Sequence, residues 1–216
     1  MKIGLVGGTG KEGTGLSARW AQAGHTVSIG SREAERAVQK AAELSSEWKV
    51  SIRGGDNAAI CADADVVVLC VPYSAHKSTL EGLKDVLNGK IVIDITVPLK
   101  PPAVREVHLP AGQSAALEAQ AVLGTGVKLV AALHHVSSVH LQDQGHQIHC
   151  DVLVCSDDAP AKEVAIGMIK DLGMRGLDAG SLKNAVALES LTPVLLYMNK
   201  RYKSEGTGIH LTGIPG

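Results

Sequence analysis

Gly8-Thr9-Gly10-Lys11-Glu12-Gly13 follows the short apolar run Lys2–Val6 and opens a helical pattern. Glycines at that spacing allow a tight turn from strand to helix, and they let a pyrophosphate approach the backbone. The start of the helix then offers free N–H groups and the positive end of its dipole to the anion. A tight turn that holds no ligand is the plainer alternative, but the strand before and the helix after favour a dinucleotide. A triphosphate-cradling loop is excluded, because Glu12 follows Gly10-Lys11 where that loop needs Ser or Thr.

The end of the second apolar run, His25–Ile29, bears on which dinucleotide. A site for the unphosphorylated form wants an Asp or Glu there, to accept from the ribose hydroxyls. This chain has Gly30-Ser31-Arg32. Ser31 can donate to a 2′-phosphate, and Arg32 can pair with it through charge-assisted bonds. Arg36 lies one turn further on. The plainer readings are an N-cap for Ser31 and a solvated helix face for the two arginines. The missing carboxylate together with the Ser-Arg pair favours NADP over NAD.

The elements that position these residues alternate. Strands are predicted at Lys2–Val6, His25–Ile29, Val50–Ile52, Asp65–Val71, Ile91–Ile95 and Lys128–Leu133. Helices are predicted at Leu16–Ala23, Arg32–Leu44, Ser74–Leu87 and Ser114–Leu123. Such repetition implies a parallel sheet covered on both faces. Beyond it, Asp151–Cys155 and Arg175–Asp178 are candidate strands around a helix Ala161–Leu172. A last helix Ser181–Tyr197 is expected to be interrupted near Pro193. Val97–Pro102 reads as loop, His134–Cys150 has no clear period, and the tail Glu205–Gly216 is rich in glycine.

The 216 residues are enough for a real core, and 45% of them are apolar. With two Trp, three Tyr and no Phe, that core must be aliphatic. The net charge of −1 and the scarcity of aromatics argue against a nucleic-acid binder. Cys61, Cys70, Cys150 and Cys155 form no CxxC pair, and Cys70 reads as a small core residue. No signal peptide is visible and no apolar run would span a bilayer, so a cytoplasmic protein with reduced thiols is expected.

Gly7-Gly8-Thr9-Gly10-x-x-Gly13, Gly30-Ser31-Arg32, Val71-Pro72, Ala132-Leu133-His134, Asp178-Ala179-Gly180 and Glu189-Ser190-Leu191-Thr192-Pro193 occur in this order. Over nearly the whole chain, including the tail Gly206-x-Gly208-Ile209-x-Leu211, this pattern resembles the NADPH-dependent reductases of coenzyme F-420, an 8-hydroxy-5-deazaflavin. The Ala-Leu-His and Glu-Ser-Leu-Thr-Pro segments are the specific ones. The resemblance implies a Rossmann-type parallel sheet with helices on both faces and a small C-terminal helical part. Residues 1–180 would hold NADP, and residues 181–216 would close a cleft in which the deazaflavin, the co-substrate, stacks on the nicotinamide. It also implies a homodimer.

Gly8, Thr9, Gly10, Lys11, Glu12 and Gly13 would then hold the pyrophosphate, with Ser31, Arg32 and Arg36 at the 2′-phosphate. Val71, Pro72, Val97 and Ser138 would border the nicotinamide, and His134, Thr192 and Pro193 would face the deazaflavin. Lys200, Arg201 and Lys203 could hold the phosphate and oligoglutamate tail of the deazaflavin. The stretch His134-His135-Val136-Ser137-Ser138 and the histidine-rich region after it depart from the family pattern.

Hydride transfer between stacked rings needs no nucleophile. It needs the two carbons held about 3–3.5 Å apart in a dry site. Accordingly no catalytic side chain is expected: there is no Ser-His-Asp set, no recognisable carboxylate pair and no G-x-S-x-G. His134, His135, His140, His146, His149, Cys150 and Cys155 are the rival constellation, but their spacing matches no ligand pattern. They are read as a loop of solvated histidines without a metal. His134 stands apart, as a polar contact to a ring or carboxamide at a strand end. The other readings are an NADP-dependent reductase of an imine, flavin or metal, and a non-catalytic NADP sensor.

Overall fold

The computed structural model describes residues 1–214. Strands β1 (Lys2–Val6), β2 (Thr26–Ser31), β3 (Ile52–Asp56), β4 (Val66–Leu69), β5 (Ile91–Asp94) and β6 (Lys128–Ala131) form one sheet in the order β3-β2-β1-β4-β5-β6, every pair parallel. The order reverses between β1 and β4, and a crevice opens there at the carboxyl ends of the strands.

Alternation along the strands divides the core. Ile3 and Leu5 of β1 and Val66 and Val68 of β4 face one side, where α1 (Lys11–Gln22) and α2 (Ala34–Trp48) pack. Val6, Val67 and Leu69 face the other, against α3 (Asn57–Asp63), α4 (Tyr73–Leu87) and α5 (Ala115–Leu123). Trp20 is fully buried on the first side, and its indole N–H donates to the carbonyl of Met168 at 2.9 Å.

The short α6 (Ser138–Gln142) precedes a second, two-stranded parallel sheet of β7 (Asp151–Val154) and β8 (Arg175–Asp178), joined through α7 (Ala159–Asp171). Ala131 and Cys155 exchange backbone hydrogen bonds of 2.8 and 2.9 Å in an antiparallel bridge, which covers the outer edge of β6. A 3-10 turn, Leu182–Asn184, leads into α8 (Ala185–Tyr202), whose Ala185 and Leu188 join the core on the α5 side. No helix among the described residues is long and apolar enough to cross a membrane.

Three elements differ from the sequence reading. The third strand is Ile52–Asp56 rather than Val50–Ile52. Gly54 and Gly55 look like a turn, but at Gly54 the strand runs so close under α2 that a Cβ would meet the carbonyl of Ala37. Helix α1 starts at Lys11, ahead of Leu16, because Gly13 and Gly15 sit inside it where the helix touches the turn and Leu141. Pro193 does not interrupt the last helix. It lies buried within α8, where the missing N–H removes one helical bond and the packing around it holds the turn. Helices α3 and α6 were not foreseen.

The tail leans on the small sheet. Ile209 accepts from the N–H of Asp151 at 2.9 Å, and Leu211 donates to the Asp151 carboxylate at 2.6 Å. Asp151 is itself held by two bonds from Arg175, at 2.9 and 2.7 Å, which draw its carboxyl down to about 2. The last two residues of the expected tail lie outside the described residues.

Candidate active site

The turn after β1 uses its glycines for different ends. Gly7 has φ +69, a left-handed backbone, and lies against Val71. The N–H of Gly8 meets the carbonyls of Leu5 and Gly30, both at 3.1 Å. A Cβ on Gly13 would stand 2.6 Å from Gly8 Cα, so Gly13 lets α1 close on the turn. Gly10 is different: a Cβ there would meet only the Gly7 carbonyl, at 3.8 Å. Nothing in the fold demands that it be small, so the space beside it is a cradle that a side chain would fill.

Gly10 is also the N-cap of α1 and has no side chain to cap it. The first intrahelical bond runs from Thr14 N–H to the Gly10 carbonyl at 2.9 Å, which leaves the N–H groups of Lys11, Glu12 and Gly13 without helical acceptors. Those donors, at the positive end of a helix, fit a pyrophosphate. Asn57 supports the turn from α3, its side-chain oxygen accepting from Gly7 N–H at 3.3 Å. No periodic signal in the sequence marks α3, so none points to Asn57.

Ser31 ends β2, and its Oγ accepts from Glu33 N–H at 3.2 Å. The hydroxyl hydrogen remains free to donate. Arg32 and Arg36 are exposed and take part in no ion pair among the described residues. This end lies outside the lining of the cleft described next.

At the switch point is a cleft of about 650 Å³. Gly10 and Glu12 border it on the turn, Val71, Pro72 and Val97 on the loops after β4 and β5, and His134, Ser138 and Thr192 on the far side. Thr9 and Lys11 line a smaller groove between α1 and α2 instead. Pro193 does not line the cleft; Leu195, Leu196 and Asn199 of α8 do. Cys70 also lines it, lying past the end of β4 and not inside the strand as expected; burial pushes its thiol well up.

The histidine-rich stretch is not a solvated loop. His134 and His135 are buried, His140 and His146 are half-buried with their rings stacked 4.1 Å apart, and only His149 is exposed. The reason is that α6 folds the stretch back onto α1. The described residues contain no group of three or more His, Cys, Asp or Glu placed to share a metal ion. His135 Nε2 donates to the Asp151 carbonyl at 2.8 Å. His134 is 5% exposed, and neither of its ring nitrogens has a hydrogen-bond partner among the described residues. A buried imidazole left unpaired costs free energy unless a ligand completes it. Its backbone is fixed by Thr192, whose hydroxyl donates to the His134 carbonyl at 2.7 Å.

A buried polar set underlies the floor. His76 Nε2 and Asp94 Oδ2 are 2.7 Å apart, and Thr96 N–H donates to the other Asp94 oxygen at 3.0 Å. Burial opposes both charges, but each partner outweighs it, so His76 is raised and Asp94 lowered. Glu189 reaches from α8 to accept from the N–H groups of Ala115 and Ala116, at 2.7 and 3.0 Å. Burial pushes its carboxyl up to about 8 against the pull of those donors. Glu189 stood in the recognised Glu-Ser-Leu-Thr-Pro segment, yet nothing in the sequence pairs it with α5.

Burial lowers His134 to about 4 from an ordinary 6.5. The unfolded chain therefore takes up this proton before the folded one does, and stability is lost as pH falls from 6.5 toward 4. The contribution is at most ~3 kcal/mol. Thermal unfolding of His134→Leu is expected to lose less stability than the wild type between pH 7 and pH 5. An identical decline in both proteins would contradict this.

A parallel sheet in this order, with an uncapped glycine turn and an apolar cleft at the switch point, defines a Rossmann-type nucleotide-binding fold. The chain belongs to the family of coenzyme F420-dependent NADP oxidoreductases, whose family model, described as "NADP oxidoreductase coenzyme F420-dependent", matches residues 2–98. It is 38% identical to the F420-dependent NADP reductase of Methanothermobacter thermautotrophicus, over 100% of this chain and 96% of that protein. It is also 38% identical to the enzyme of the same name from Methanocaldococcus jannaschii, over 99% of each. Among solved structures, a candidate F420-dependent NADP reductase of Arthrobacter sp. FB24 superposes with a TM-score of 0.81 at 26% identity, covering 98% of this chain and 99% of that one.

Proposed function

We propose that this protein transfers a hydride between NADP(H) and the 8-hydroxy-5-deazaflavin coenzyme F-420. The observation that carries the reading is the family relationship over the full chain, and His134 supports it: a buried imidazole with neither nitrogen paired among the described residues, in the wall of a cleft that begins at the pyrophosphate turn.

Bound together, a nicotinamide and a deazaflavin would supply the two ring carbons between which a hydride could pass in either direction. The chain's part is to bind, orient and exclude water. The N–H groups of Lys11, Glu12 and Gly13 hold the pyrophosphate, and Ser31, Arg32 and Arg36 hold the 2′-phosphate. Val71, Pro72 and Val97 give the nicotinamide an apolar wall, with Ser138 at its edge. His134 stays neutral at pH 7, so it offers one N–H and one lone pair to the polar edge of a ring. Thr192 fixes His134, and the C-terminal part from residue 181, as far as the described residues run, closes the deazaflavin side of a site built on residues 1–180. The exposed Val194 and Tyr197, one turn apart on α8, support a homodimer across that helix. Four free cysteines suit a reducing, cytoplasmic setting.

Purified protein mixed with NADPH and the oxidised deazaflavin is expected to bleach the visible absorbance of the deazaflavin. NADPH binding without bleaching would overturn the assignment of the acceptor.

Lys200, Arg201 and Lys203 are exposed at the end of α8, beside the cleft-lining Asn199 and Ser204. We place the phosphate and glutamate tail there. Each exposed pairing is worth only about 0.2–1 kcal/mol. The triple change to Ala is therefore expected to raise KM for the deazaflavin several-fold, less at high salt, with KM for NADPH unchanged. Wild-type constants at low salt would remove the cluster from the site.

A further inference from the structure

Arg19 lies in the last turn of α1, half-buried and in no ion pair among the described residues. Its Nε donates to the carbonyl of Leu141 at 2.9 Å. Its Nη2 faces the carbonyls of His140, Asp143 and His146 at 2.8, 2.7 and 3.0 Å, sharing its hydrogens among them. Carbonyls at the end of a helix lack intrahelical donors, and a cation suits that end. Helix α6 has only 5 residues, too few to hold itself together.

Other contacts tie the same segment to α1. A Cβ on Gly15 would stand 2.6 Å from Leu141 Cβ, and the Gln142 side-chain amide donates to the Lys11 carbonyl at 2.9 Å. The segment presents Ser137, Ser138 and Val139 to the cleft, and the ring of His140 lies against Gly206 of the tail. One wall of the cleft, between the pyrophosphate turn and the tail, is thus a short piece of chain with little structure of its own. A single guanidinium gathers its carbonyls.

We propose that Arg19 is a positioning residue for hydride transfer: it clasps residues 137–146 to α1 and so sets the wall against which the two rings are held. It touches neither ring, since it does not line the cleft. The inference rests on the functional reading above. Lysine is a poor substitute, because an ammonium lacks the planar fork that spans Leu141 on one side and His140, Asp143 and His146 on the other.

The test uses Arg19→Lys and Arg19→Met in the full chain. Amide hydrogen exchange across 137–146 is expected to speed up about 10-fold or more, with β1 and β2 unchanged. Misplacing the wall is expected to lower kcat about 10- to 100-fold. The Kd for NADP⁺ is expected to rise less than kcat falls, by no more than about fivefold, because Ser31, Arg32 and Arg36 are untouched and only Ser138 and Gln142 of the segment reach the nucleotide side. Unchanged exchange, unchanged kcat, or a loss of NADP⁺ affinity that matches the loss of kcat would each overturn the proposal. If Arg19→Met fails to fold, Arg19→Lys decides alone. If the wild type itself does not turn over the deazaflavin, the functional reading falls, and the exchange data still decide whether Arg19 holds the wall.

Discussion

Arg32→Ala is expected to weaken NADPH about 10- to 100-fold while leaving NADH nearly unchanged. The guanidinium is exposed just before α2, next to the Ser31 hydroxyl that ends β2, and no carboxylate among the described residues pairs with it. A charge-assisted bond to a 2′-phosphate is worth about 1.5–3 kcal/mol, and NADH has no such phosphate to lose. Nothing else should suffer, because the side chain supports no packing and no cap. Direct titration of both nucleotides checks it. Equal losses for NADPH and NADH would show that Arg32 acts on the fold or on a shared part of the nucleotide.

Gly10→Ala is expected to weaken both nucleotides about 10- to 100-fold with the melting temperature unchanged, since the site must let the pyrophosphate reach the backbone. The backbone at Gly10, φ −78 and ψ 173, suits alanine, and the added methyl meets nothing closer than 3.8 Å in the protein. Gly13→Ala makes the contrast. Its Cβ would stand 2.6 Å from the backbone of Gly8, and overpacking of that kind costs about 1–3 kcal/mol. Gly13→Ala should therefore lose stability and affinity together. Full nucleotide affinity in Gly10→Ala would move the pyrophosphate away from this turn.

The strand and turn that open the sheet were largely legible in the sequence. β1 is the apolar run Lys2–Val6 itself, and the G-x-G-x-x-G spacing needs only local chemistry to be read. The far side of the cleft was legible as separate residues, His134 and Thr192, but not as an arrangement. That His134 would be buried with both nitrogens unpaired depends on α6 folding back onto α1. The sequence shows α6 as polar residues without a period. Asn57, Arg19 and Glu189 act across 50, 121–127 and 73–74 positions of chain, and no local pattern signals a partner at such range. Pro193 misled because a proline is a helix breaker only where the surrounding packing cannot make up the lost bond.

The bond from Glu189 to the start of α5 also bears on how the chain reaches this state. Ala115 and Ala116 are fully buried, and their N–H groups have Glu189 as acceptor, a residue of the last helix. Until that helix emerges during synthesis, α5 carries two donors that must stay in water, so its first turn cannot settle into the core. The loop from β5 to α5, which supplies Val97 to the cleft, waits with it. A chain released before Glu189 would hold a formed glycine turn beside an unfinished floor, two halves of one cleft that mature at different moments.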